Sequence, residues 1–188
     1  FENGDRGKNY PGRKAFVPTG VPFINAGHLL NGPIDWANMN YIPEEHYHRL
    51  SNGKVKHGDL LFCLRGSLGK FGVVDTDEVG AIASSLVIVR PSELLLGAYL
   101  SAYFESKACA DMIEEYAGGA AQPNLSAKSL AAFKIALPSL EDQARVVRSI
   151  AETRKSVEIL ILEYRTKLKD LDDLRQSLLQ KAFAGELT

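Results

Sequence analysis

Apolar positions along the chain follow two regimes. In the first, Pro22-Phe23-Ile24-Asn25, Leu60-Leu61-Phe62-Cys63-Leu64, Phe71-Gly72-Val73-Val74 and Ser85-Leu86-Val87-Ile88-Val89 form short runs among Gly, Pro and Asp. Their length and β-branched content predict buried strands. Between Leu94 and Tyr116 the period changes. Leu96, Tyr99, Leu100, Tyr103, Phe104, Ala108, Met112, Ile113 and Tyr116 recur at three- and four-residue steps. That spacing predicts one amphipathic helix lying on the sheet, ended by Gly118-Gly119. A short helix starting at Ser126 and an extended stretch Phe133–Leu137 complete this part.

The second regime begins after Pro138, the last proline, and nearly all of the 16 glycines precede residue 120. Ser139 followed by Asp142 has the pattern of a capping box, and nothing from Leu140 to Phe183 breaks a helix. Such a helix spans on the order of 65 Å. Alternating steps of three and four pick out Val147, Ile150, Arg154, Val157, Ile161, Tyr164, Leu168, Leu171, Arg175, Leu178 and Ala182. All but the two arginines are apolar or aromatic, which predicts a coiled-coil seam with Arg154 and Arg175 setting register. A seam needs a partner, and no second long helix is predicted. The partner is expected from another copy, from missing sequence or from another protein.

The fold class is therefore α+β: a loop-rich mixed β-sheet domain with packed helices (1–138), then one long coiled-coil-forming helix (139–188). A chain of 188 residues that is 45% hydrophobic and 24% charged suits one globular domain with an appendage. No stretch approaches a membrane span. Cys63 and Cys109 lie in apolar surroundings without pairing spacing, which points to a reducing, cytoplasmic setting. The opening Phe-Glu-Asn-Gly lacks Met and reads as cut from something longer. The net charge of −1 conceals an uneven layout. Residues 1–74 carry nine Lys/Arg against six Asp/Glu, residues 75–139 four against eight, and the rest nine of each. The basic excess sits at the front, where phosphates would respond to it locally.

Two basic loops carry the candidate chemistry. Arg6, Lys8, Asn9, Tyr10, Arg13 and Lys14 form the densest cluster, combining phosphate-binding cations, an amide able to read a base edge and a stacking ring. Arg65-Gly66-Ser67-Leu68-Gly69-Lys70 joins two predicted strands and presents backbone N–H groups with cations, though not in Walker order. A solvated loop and a plain hairpin turn are the competing readings. Asn25, His28, Gln122 and Asn124 add polar side chains in other loops. His46, His48 and His57 with Cys63 could suggest a metal site or a thiol hydrolase, but their spacing matches neither, and an apolar run disfavours a thiolate.

Taken in order, Val21-Pro22-Phe23-Ile24-Asn25-Ala26-Gly27-His28-Leu29, Gly58-Asp59-Leu60-Leu61-Phe62-Cys63-Leu64-Arg65-Gly66-Ser67-Leu68-Gly69-Lys70 and Ala121-Gln122-Pro123-Asn124-Leu125-Ser126 resemble the target-recognition domain of type I restriction–modification specificity subunits. Phe133 to Gln143 and the ending Leu174 to Leu187 resemble that family's link to its long helix and the helix's close. The resemblance implies a non-catalytic chain that reads one half of a split double-stranded DNA target. Arg65, Ser67 and Lys70 would lead the contact, supported by the other loop residues named above. Val147, Ile150, Val157, Ile161, Tyr164, Leu168, Leu171 and Leu178 would pair with a second helix. It further implies modification (methyltransferase) and restriction–translocase subunits as partners, with S-adenosylmethionine, ATP and Mg held by those subunits and no cofactor here. A coiled-coil protein-interaction module with a non-DNA-binding head, and a small Cys/His hydrolase, are the alternatives.

Overall fold

The computed structural model describes residues 1–118 and 124–186. Its elements are β1 (Glu2–Asn3), β2 (Val21–Ile24), β3 (Tyr41–Ile42), α1 (Glu44–Arg49), β4 (Leu60–Cys63), β5 (Phe71–Val73), β6 (Ala81–Ile82), β7 (Leu86–Val89), α2 (Gly97–Phe104), α3 (Lys107–Tyr116), α4 (Ala127–Leu130) and α5 (Leu140–Phe183). The fold is α+β. Packing divides the chain into two units, Phe1–Ala144 and Arg145–Thr188.

The four-residue apolar runs of β4 and β7 are buried throughout because both faces of their sheet are covered. That sheet runs β1-β7-β4-β5, all antiparallel. On one face Leu61, Cys63, Leu86 and Ile88 pack with Ile24 and Ile82 from a smaller sheet of order β3-β2-β6. On the other face Leu60, Phe62, Phe71, Val87 and Val89 meet Leu100, Phe104, Cys109 and Leu130 of the helices. A third cluster (Val21, Phe23, Ile42 and Leu50, with Tyr10 and Phe16 against it) closes the outer side of β2.

Sheet edges are short or occupied. Gly32 lies along β5, donating its N–H to Phe71 O (3.2 Å) and accepting from Val73 N (2.7 Å). Val17 N–H bonds Tyr41 O of β3 at 3.0 Å, and Ile82 N–H of β6 bonds Gly53 O at 2.9 Å. β1, at the remaining edge of the larger sheet, is two residues long.

The single helix expected over Leu94–Tyr116 is two helices. Ser106 interrupts it because its hydroxyl accepts the Cys109 N–H (3.2 Å), capping α3, while Ser106 itself is extended. α3 then ends on an extended Ala117, not on a left-handed glycine. Gly118 instead pairs with Asn124 across two backbone bonds of 2.9 and 3.0 Å; Gly119 lies outside the described residues. The Ser126 and Ser139 caps are present.

Two buried polar groups hold the unit together. Asp59, 1% exposed, receives a two-point grip from Arg90 (2.7 and 2.8 Å) and the Lys56 N–H (2.8 Å). Arg90 also reaches Glu2 at 3.2 Å, and these carboxylates raise its already high pKa further. The group thus links β1, β4 and β7. Gln143, 0% exposed, accepts from Leu96 N (2.9 Å) and donates to Leu94 O (2.9 Å) and Pro138 O (3.0 Å), fastening the first turn of α5 into this unit. From Arg145 the helix forms its own unit, in which Val157, Ile161, Tyr164, Leu168, Leu171 and Leu178 are exposed. Among the described residues no helix is long and apolar enough to cross a membrane.

Asp59→Ala is expected to cost about 2 kcal/mol, less than a fully buried pair because Arg90 is partly exposed and keeps Glu2. The shift in urea midpoint measures it; a loss below about 0.5 kcal/mol, typical of surface pairs, would refute the linking role.

Candidate nucleic-acid interface

The loop between β4 and β5 is a tight hairpin. Cys63 N–H bonds Lys70 O (2.8 Å), Gly69 N–H returns to Cys63 O (3.2 Å), and Lys70 N–H closes an inner turn on Ser67 O (3.1 Å). The turn needs both glycines, each at φ +83°. Gly69 has a second reason: an added Cβ would lie 2.9 Å from the Ile113 side chain of α3. Arg65, Gly66 and Ser67 are exposed at the tip, while Lys70 lines an open cleft of ≈ 480 Å³ with Asn31 and Glu105.

Two further segments join this hairpin. Asn124, exposed, bridges Arg65 in antiparallel fashion, and Leu125 N–H bonds Leu64 O at 2.9 Å. From the other side comes the N-terminal segment, where Gly4 passes so close to the β6–β7 turn that a Cβ there would sit 2.6 Å from Ala83 O. That approach brings Arg6 to the hairpin. Arg6 Nη2 donates to Ser84 O at 3.3 Å, and Arg65 Nη2 donates to the same oxygen at 2.9 Å. Two basic clusters far apart in sequence thus meet at one carbonyl.

Asp5 fixes the segment's course. Its carboxylate accepts from Gly7 N (2.7 Å) and Ser51 N (2.9 Å), and these bonds hold its pKa below the usual carboxylate value, against the opposing effect of burial. The Asp5-x-Gly7 bond is an Asx turn, which an Asp two residues before a Gly favours. Farther on, Asn9 donates to Arg49 O (2.8 Å) and its carbonyl accepts from His46 Nε2 (2.8 Å). Lys8 and Lys14 are exposed.

Several expected contact residues have partners within the fold. Tyr10 is half-buried and stands edge-on to Phe23, with ring centroids 5.8 Å apart. His28 is 7% exposed and accepts the Asn25 N–H at Nδ1 (3.1 Å); burial lowers its pKa, partly offset by Asp35. Asn25 accepts the Gly27 N–H (2.7 Å) as the cap of a 3-10 turn. Asn9 likewise spends its amide on Arg49. Arg13 starts a 3-10 turn, with its side chain outside the description. Gln122 lies outside the described residues.

The histidines and Cys63 do not assemble. His46 binds Asn9, His48 lies 3.6 Å from Glu44, and His57 lies 3.3 Å from Asp77. Cys63 is sealed in the core with its thiol donating to Arg65 O (3.0 Å), and burial pushes that thiol up. Among the described residues no group of three or more His, Cys, Asp or Glu is placed to hold a metal.

The first unit thus carries cations and amides on converging loops, and the long helix α5 follows it in the chain. Two solved structures share the fold. One, described as addressing complex assembly and conformational transition of the type I R-M system, gives a TM-score of 0.66 at 22% identity, covering 94% of this chain and 42% of the other. The second, the HsdS subunit from Thermoanaerobacter tengcongensis, gives 0.64 at 21% identity, covering 99% and 42%. The EcoBI specificity subunit of Escherichia coli is 25% identical over 173 residues, covering 92% of this chain and 36% of that protein. The MjaVIII specificity subunit of Methanocaldococcus jannaschii is 24% identical over 183 residues, covering 92% and 41%. Residues 6–163 match the type I restriction modification DNA specificity domain, and the chain belongs to that family. It spans well under half the length of these relatives.

Asp5 contributes stability that is complete above its unfolded pKa of about 4 and fades as pH falls through the lowered folded value. Asp5→Asn should therefore be less stable at neutral pH and show a smaller loss on acidification. Urea midpoints taken from pH 7 down to about 3 test this; parallel curves for the two proteins would refute it.

Proposed function

We propose that the chain is a non-catalytic DNA reader that recognises one half of a split target within a type I restriction–modification enzyme. The observation that carries this reading is the convergence of Arg6, Arg65 and Asn124 around one exposed hairpin in a member of a DNA specificity family. Arg65, Ser67, Lys70, Arg6, Lys8, Lys14 and Asn124 form the contact set, with cations taking phosphates and exposed amide and hydroxyl groups available to base edges.

The α5 stripe supports a second element of the proposal. Leu168 and Leu171 are 65% and 62% exposed, and leucines repeated in a heptad seam are stabilised by burial against another helix. Val147, Ile150, Val157, Ile161, Tyr164 and Leu178 continue that seam. Pairing α5 with a second long helix would set a fixed spacing between two recognition domains. Modification and restriction subunits would dock on this scaffold, bringing S-adenosylmethionine, ATP and Mg with them.

Replacing Arg65 and Lys70 by Ala should weaken duplex DNA binding by at least about tenfold and flatten its salt dependence by roughly one to two phosphates' worth. Fluorescence anisotropy across a salt series reads both effects, and unchanged binding would remove the hairpin from the interface. Leu168→Glu with Leu171→Glu should abolish self-association in sedimentation equilibrium without altering the thermal unfolding of residues 1–144. A wild-type chain that stays monomeric in the micromolar range would count against pairing between copies.

A further inference from the structure

The sequence contains two Arg-Gly dipeptides, Arg6-Gly7 and Arg65-Gly66, and the fold brings both to the Ser84 carbonyl. We infer that Arg6 and Arg65 together hold a single phosphate of the DNA backbone, with Ser84 O as the pivot that aims both guanidinium groups. The inference rests on the DNA-binding reading above and assigns a specific ligand group to part of that surface.

Each arginine has five N–H donors in a rigid fork. One N–H of each is given to Ser84 O, which leaves most of both forks free. A carbonyl has two lone pairs and accepts from both, but its partial charge cannot neutralise two cations. Among the described residues neither Arg6 nor Arg65 forms an ion pair with a carboxylate. The acid next in sequence, Asp5, has its oxygens turned to the Gly7 and Ser51 N–H groups. Two like charges held at one acceptor repel each other. An anion placed between them converts that repulsion into charge-assisted hydrogen bonds.

The local shape suits a bulky anion. Both arginines are exposed, and each is followed by a residue without a side chain. At Gly66 nothing among the described residues lies within 4 Å of where a Cβ would be. A phosphodiester presents two unesterified oxygens sharing one charge, and two guanidinium groups approaching from one side match that arrangement. The pair is therefore a register-setting contact, independent of base identity.

The test is a salt titration of random-sequence duplex DNA binding to the full chain, compared among Arg6→Ala, Arg65→Ala and the double variant. One shared phosphate predicts that each single change, which leaves the other arginine on that phosphate, hardly alters the slope of log K against log salt, and that the double change lowers it by about one. The double variant should lose more affinity than the two single losses combined, and Arg6→Lys with Arg65→Lys should recover part of it. Thermal midpoints should stay at the wild-type value. A fall of about two in the double variant would assign separate phosphates and overturn the inference. An unchanged slope in the double variant, with or without a lower midpoint, would reduce the pair to pins for the β6–β7 turn and also overturn it. Inorganic phosphate at matched ionic strength should displace DNA no better than chloride; selective displacement would assign the pair to free phosphate. If the wild-type chain shows no salt-dependent binding, the DNA reading falls and takes this inference with it, whereas additive losses overturn the inference alone.

Discussion

The structure depends on β4 and β7 being apolar on both faces. A strand of that kind is stable only inside a three-layer arrangement, because either face left in water would forfeit its burial. Leu61 and Cys63 draw in the small sheet from one side; Leu60 and Phe62 draw in α2, α3 and α4 from the other. The segments that join these layers must cross the ends of the central strands. Loops carrying Arg65, Ser84 and Asn124 therefore gather in one place. The site follows from how the core is covered.

The N-terminal segment adds a requirement of its own. It carries an acid and a base in adjacent positions, and the two are used in opposite senses. Asp5 turns to backbone N–H groups, while Arg6 turns to a carbonyl shared with a second arginine. The concentration of positive charge at the hairpin thus depends on an aspartate whose carboxylate is fully employed elsewhere. Charge totals, near neutral over the whole chain, carry no trace of this arrangement.

Much of the fold was legible in the sequence. Strand positions were readable because short apolar runs flanked by turn residues have few alternatives, and α5 because nothing interrupts it. The division at Ser106 was not, since three- and four-residue periodicity continues across it and only the hydroxyl's bond to the Cys109 N–H ends one helix and starts the next. For the candidate site, the exposed hairpin that carries Arg65 and Lys70 was legible as a glycine-spaced turn. That Arg6 would join Arg65 was not, because the meeting point is a backbone carbonyl, which no side-chain pattern marks. The surroundings of Tyr10 and His28 were not legible for a related reason: an aromatic or imidazole in a loop shows no partner until the segment beneath it is known. Tyr10 lies on Phe23, and His28 is engaged by the Asn25 N–H.

The treatment of the sheet margins has a consequence for how copies of this chain meet. Gly32 occupies the outer hydrogen-bonding groups of β5, Val17 those of β3 and Gly53 those of β6, while β1 is too short to template much. Strand addition, the common route by which sheet proteins form fibres, finds few open groups to start from. Pairing between copies through the proposed α5 seam, whose register side chains specify, would therefore meet little competition from backbone contacts.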